Sequence, residues 1–143
     1  MTFVTRSEQE TEQLGEKMGK VLLPGALVRF TGTLGAGKTA FIRGLARGLG
    51  YTGYVSSPTF TICNAYDTPR GQLYHFDLYR LSGAEDLEAV GFFDYLAERQ
   101  FIALEWSERA ADILPPDSVS VDLRYKWEES PDLREITITG IEL

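Results

Sequence analysis

Eight consecutive residues constrain this chain more than any other part of it. Gly32-Thr33-Leu34-Gly35-Ala36-Gly37-Lys38-Thr39 fulfils the pattern G-x-x-x-x-G-K-[ST]. The flanks agree with it. Ala26 to Thr31 is a short apolar-rich run of strand length, and Phe41, Ile42, Leu45, Ala46 and Leu49 then form a helical stripe closed by Gly50. A strand, a glycine-rich loop and a helix in that order make a phosphate cradle. The glycines let backbone N–H groups converge where Cβ atoms would crowd an anion, and the helix N-terminus adds its partial positive charge. Thr33, Leu34, Gly35, Ala36, Gly37, Lys38, Thr39 and Ala40 are the expected nucleotide-binding set. Lys38 would neutralise the β and γ phosphates, and the Thr39 hydroxyl would ligate Mg²⁺.

Charge supports a small polyanionic ligand over a long one. The net charge is −7, against the clustered cations that a generic nucleic-acid binder needs. Yet Lys17 to Tyr66 holds six basic residues and no acidic one. An acidic protein has kept positive the segment that contains the loop.

The remaining elements place acids beside that loop. Ser7-Glu8-Gln9-Glu10 reads as a capping box ahead of an apolar stripe at Leu14, Met18, Val21 and Leu22, with a stop at Pro24-Gly25. Thr59 to Tyr66 and Gln72 to Leu78 read as strands joined through Thr68-Pro69-Arg70-Gly71, a hairpin with a four-to-five-residue loop. Glu85 to Glu98 reads as one or two short helices broken near Gly91. Phe101 to Leu104 reads as a buried strand, Ser107 to Leu114 as a short helix, and Val119 to Tyr125 with Glu135 to Ile141 as an antiparallel pair. The expected order is α β α β β α β α β β. The fold class is therefore α/β, a P-loop NTPase-like mixed parallel and antiparallel sheet flanked by helices, in one domain over residues 1–143.

Phe101-Ile102-Ala103-Leu104-Glu105 puts a carboxylate at the C-terminal end of a buried strand, where ligands of such sheets sit. General P-loop practice has Asp there, so Glu105 is a departure; its longer reach would hold Mg²⁺ through water or help to orient the attacking water. Alternation in His75-Phe76-Asp77-Leu78 sets Leu73, His75 and Asp77 on one face and Tyr74, Phe76 and Leu78 on the other. His75 and Asp77 could polarise a water or pair with Lys38, against the plainer reading of His75 as a structural histidine. Ser56 to Phe60 lies where a switch segment could deliver a hydroxyl to the metal. Cys63, the single cysteine, excludes a disulfide framework and is expected buried. The sole asparagine, Asn64, precedes no lysine, so no N-K-x-D guanine signature exists and ATP is favoured over GTP. Met1 to Ser7 does not read as a secretory leader and no apolar run spans a bilayer, so a cytoplasmic protein without membrane contact is expected.

The phosphate loop, Ser57-Pro58-Thr59-Phe60, His75-Phe76-Asp77-Leu78-Tyr79-Arg80 and the strand ending Leu104-Glu105-Trp106 together resemble the TsaE (YjeE) family, the small ATPase of bacterial tRNA threonylcarbamoyladenosine biosynthesis. The resemblance covers roughly half of the chain, and Asp117 to Leu143 carries no signature of it. It implies ATP and Mg²⁺ as cofactors, TsaD and TsaB as protein partners, and tRNA contact only through that assembly. It also implies that Thr39 and Glu105 hold Mg²⁺, that Thr59 belongs to the switch segment near the metal, that Asp77 serves hydrolysis, and that Trp106 lies near the nucleotide or partner face. The rival readings are a P-loop small-molecule kinase and a nucleotide-dependent switch without significant turnover. An arginine-rich lid, which such kinases usually carry, is missing from the acidic stretch between the hairpin and Phe101.

Overall fold

The computed structural model describes residues 1–33, 35–56, 63–79, 84–107 and 112–143. Its strands are β1 (Thr2–Thr5), β2 (Leu27–Gly32), β3 (Cys63–Thr68), β4 (Gly71–Asp77), β5 (Phe101–Glu105), β6 (Val119–Tyr125) and β7 (Arg134–Thr139). Its helices are α1 (Glu8–Val21), α2 (Lys38–Gly48), α3 (Ala84–Ala89) and α4 (Phe92–Ala97). The strands form one sheet in the order β1-β7-β6-β2-β5-β4-β3. The four central strands β6, β2, β5 and β4 are parallel, and antiparallel pairs flank them on both sides. The expected mixed α/β sheet is therefore present, as are the break at Gly91 and the β6–β7 pair.

Alternation divides the core between the two faces of the sheet. Phe30, Leu73, Phe101 and Ala103 pack with Leu14, Met18, Phe41, Ile42 and Leu45 from α1 and α2. Tyr74, Phe76, Ile102 and Leu104 pack on the opposite side with Leu87 and Phe92 from α3 and α4. Each fully buried Phe or Leu contributes about 1.5–3 kcal/mol over an exposed one. Phe30 on β2 meets Phe41 on α2 edge to face, with centroids 5.5 Å apart. That contact anchors the strand and the helix at either end of the glycine-rich loop.

Helix α1 starts as its sequence predicts, with Ser7 Oγ accepting from the Glu10 N–H at 3.0 Å. The reciprocal arm differs: Glu10 accepts from the N–H of Arg6 at 3.0 Å. Val21 is 46% exposed, so the apolar stripe closes on Met18 and Leu22 without it. Helix α1 lies against α2 with little between the backbones. A Cβ at Gly44 would come within 1.9 Å of the Glu12 carbonyl oxygen, and one at Gly15 within 2.2 Å of that of Phe41.

Three local expectations need correction. Strand β1 falls in the polar N-terminal stretch and was not expected; of its residues only Thr5 is buried, its hydroxyl 2.7 Å from that of Thr11. The β3–β4 hairpin is tighter than four to five residues: Thr68 pairs with Gly71, leaving Pro69 and Arg70 as the turn. Arg70 is thereby aimed at the C-terminus of α1, where it donates to the carbonyls of Gly19, at 2.6 Å, and Leu22. Cys63 is half-buried instead of fully buried, though burial still pushes its thiol up to about 11. The expected strand start at Thr59 to Ile62 and half of the expected helix from Ser107 to Leu114, residues 108–111, lie outside the described residues.

Candidate active site

Three parallel strands end side by side and deliver the site. Gly32 closes β2 at φ 138°, where a Cβ would come within 2.3 Å of the Leu123 carbonyl oxygen on β6. Gly37, at φ 100°, then turns the chain into α2. Its lack of a side chain leaves α2 with no side-chain cap, and no acid stands in the first turn. Helix α1 is the contrast, capped by Ser7 and carrying Glu8 and Glu10 in its first turn. The positive end of the α2 dipole is thus left for an anion in the cleft.

Lys38 is 6% exposed, and its position is set on two sides. Its ammonium donates to the Gly32 carbonyl at 3.0 Å and sits 3.7 Å from the centre of the Trp106 ring. On the adjacent strand ends, Asp77 pairs in register with Glu105, and Glu105 with Phe30 of β2. Two carboxylates therefore stand beside the glycine-rich loop. Glu105 is buried, which excludes a solvent-facing role, and its Oε2 lies 2.7 Å from Nε2 of fully buried His75. Asp77 is half-buried and accepts the Tyr79 N–H at 3.0 Å. Burial pushes the Asp77 carboxyl above the usual carboxylate range, with the Tyr79 N–H opposing and Glu105 adding to the rise; His75 and Lys38 also pull it down.

These groups open on one cleft of about 590 Å³, within the range of about 300–1,000 Å³ for small-molecule sites. Gly35, Gly37, Lys38, Thr39, Ala40, Asp77, Glu105 and Trp106 line it. Ala36 turns its side chain into the core, leaving its backbone in the loop, and exposed Thr33 faces a neighbouring groove with Asp122 and Arg124. Leu34, Thr59 and Arg80 lie outside the described residues. Ser7, Glu8, Thr11, Arg43, Asp132 and Arg134 also line it, which the sequence pattern does not reveal. They come from the start of α1, from α2 and from around the start of β7, and only folding joins them. Arg43 is held there by Glu12 at 2.6 Å and Glu8 at 2.9 Å, which raise its already high pKa. Arg47 reaches Glu12 at 3.4 Å.

The donor set fits Mg²⁺: a Thr39 hydroxyl and the carboxylates of Glu105 and Asp77 are hard oxygen ligands. Among the described residues no three acids, imidazoles or thiols are grouped to hold a metal by themselves. Bound Mg²⁺ would then rely also on phosphate oxygens and water, its usual partners in phosphoryl-transfer sites.

Residues 5–136 match the sequence profile of the family described as Threonylcarbamoyl adenosine biosynthesis protein TsaE. The chain belongs to the TsaE family. Among TsaE relatives, the tRNA threonylcarbamoyladenosine biosynthesis protein TsaE of Treponema pallidum is 40% identical over 96% of this chain and 99% of its own length. The protein of that name from Haemophilus influenzae is 36% identical over 90% of this chain and 84% of its own. The crystal structure of YdiB from Bacillus subtilis superposes with a TM-score of 0.78 at 30% identity, covering 96% of this chain and 83% of that one. The TsaE fold is thus P-loop NTPase-like, as its sequence predicts. No helix among the described residues of this chain is long and apolar enough to cross a membrane.

Proposed function

We propose that this chain binds ATP with Mg²⁺ and hydrolyses it, as the nucleotide-driven component of cytoplasmic tRNA threonylcarbamoyladenosine biosynthesis. The observation that carries the reading is the convergence of an uncapped α2 N-terminus, Lys38, Thr39, Asp77 and Glu105 on one cleft. In this reading the loop backbone and Lys38 bind the phosphates, and Thr39 with Glu105 holds Mg²⁺, which would offset charge on the phosphoryl oxygens. Asp77, half-buried beside them, orients the attacking water. The family supports TsaD and TsaB as the partners whose turnover the nucleotide cycle serves, with tRNA met only through them. A net charge of −7 agrees with a subunit that does not grip tRNA itself.

Activation in trans is supported by where the arginines lie among the described residues, which leave out Arg80, the in-cis alternative near Asp77. Arg43 and Arg47 are engaged by Glu8 and Glu12, and Arg134 stacks on Tyr125 at 3.6 Å. A cation supplied by a partner can raise phosphoryl transfer by about 10³-fold or more. The test is ADP production at saturating ATP–Mg²⁺, by the chain alone and with TsaD and TsaB added. Slow turnover alone and faster turnover with both partners is expected. No ADP under either condition would leave a nucleotide switch; fast turnover unchanged by the partners would remove activation in trans.

A further inference from the structure

We propose that His75 is a positioning residue for Glu105: it holds one carboxylate oxygen so that the other serves the metal in the cleft. The inference rests on the nucleotide-site reading above and extends it to a residue behind the site.

His75 lies on β4 with no exposed surface, opposite Ala103 of β5, while Glu105 stands opposite Asp77. The 2.7 Å contact between His75 Nε2 and Glu105 Oε2 is therefore diagonal. The Glu105 side chain must run back along the strand direction to make it, which selects one orientation of the carboxylate. An ionised carboxylate only accepts, so Nε2–H is the donor. Glu105 also lines the cleft, and among the described residues no donor reaches its Oε1. One oxygen is tied and the other is left for the site. Metal-ligand chemistry uses such outer partners to fix the direction of the ligands.

Packing gives no competing reason for an imidazole here. Among the described residues His75 Nδ1 is buried with no hydrogen-bond partner, a penalty that an apolar side chain of similar volume would avoid. Among the described residues, the side-chain hydrogen bond that offsets it is the one to Glu105. A histidine that only filled core space would need neither nitrogen.

The test compares His75→Gln, His75→Asn and His75→Leu. The Gln amide N–H can extend to the place of Nε2; that of Asn stops near Nδ1 and cannot reach Glu105. The measurement is Mn²⁺, standing in for Mg²⁺, titrated into the ADP-bound protein and followed by the paramagnetic resonance of free Mn²⁺. ADP affinity without divalent metal is measured in parallel. Expected are near-wild-type Mn²⁺ binding by the Gln variant, and binding about 10- to 100-fold weaker in the Asn and Leu variants, with metal-free ADP affinity retained in all. Wild-type Mn²⁺ affinity in the Asn variant overturns the role. Equal weakening of all three, Gln included, also overturns it, because ring volume would then be the requirement. Wild-type protein that takes up no ADP would overturn the nucleotide site itself, a result distinct from both.

Discussion

The Lys38 ammonium stands 3.7 Å from the centre of the Trp106 ring, and Trp106 itself sits at φ 58° directly after Glu105. A left-handed backbone is uncommon for any residue but glycine and carries a penalty of about 1–2 kcal/mol. Here it ends β5 and brings the indole back over the glycine-rich loop. One turn of chain thus sets both Glu105 and the aromatic face that meets the Lys38 ammonium. Trp106→Ala is expected to weaken ATP–Mg²⁺ binding about 2- to 30-fold, the span of a cation–π contact between exposed and desolvated settings. Trp106→Phe should retain part of it. Calorimetry reads the difference, and an Ala variant with undiminished affinity would remove Trp106 from the site.

Glu105 and Asp77 stand at strand ends, where in the proposed reading they would organise metal and water more than grip the anion. Glu105→Gln keeps an acceptor for His75, so it tests the charge without undoing the β4 contact. Both Glu105→Gln and Asp77→Ala are expected to bind ATP and to lose hydrolysis by about 10²-fold or more. Either variant turning over at the wild-type rate in the presence of TsaD and TsaB would refute that residue's role.

Asp77 also has a signature in stability. Its carboxyl is raised by burial, so the folded chain holds this proton more tightly than the unfolded chain does. The stability that the protonated form provides is complete below the unfolded value, about 3.9, and is lost as pH rises through the higher folded value. Asp77→Asn mimics the protonated form and still accepts the Tyr79 N–H. It is expected to raise Tm at pH 7, with the gain shrinking toward pH 4 and gone below it. Thermal melts across pH check this; a gain of the same size at every pH, or a loss at pH 7, would contradict it.

The loop, its helix and the acid of β5 were legible because their signals are local: a glycine pattern, a 3.6-residue stripe, four apolar residues ending in Glu105. The His75–Glu105 bond was not, because it joins residues 30 apart through a diagonal that only strand register creates. The rest of the cleft lining was hidden for the same reason, since Ser7 and Arg134 lie at opposite ends of the chain. Strand β1 was missed because an edge strand with one buried residue shows almost no alternation. The tight Pro69-Arg70 turn was missed because nothing nearby in sequence reveals that Arg70 is aimed at the carbonyls of α1.

The close approach of α1 and α2 holds the loop helix in place, and Gly44 sits at its tightest point. A Cβ there would meet the Glu12 carbonyl oxygen at 1.9 Å, backbone that cannot swing aside. Gly44→Ala is therefore expected to destabilise the fold by about 1–3 kcal/mol or more, despite alanine's better helix propensity. Urea unfolding measures it. A neutral or stabilising substitution would mean that the two helices are not packed as described.

The most direct test of the nucleotide assignment is calorimetry of ATP–Mg²⁺ with wild-type protein and with Lys38→Ala. Lys38 joins the loop to the cleft through its bond to Gly32 and its seat over Trp106, and no other lysine lines that space. Saturable binding at one site by the wild type, lost in a Lys38→Ala variant that still melts cooperatively, is the predicted result. Near-wild-type affinity in that folded variant would contradict the account.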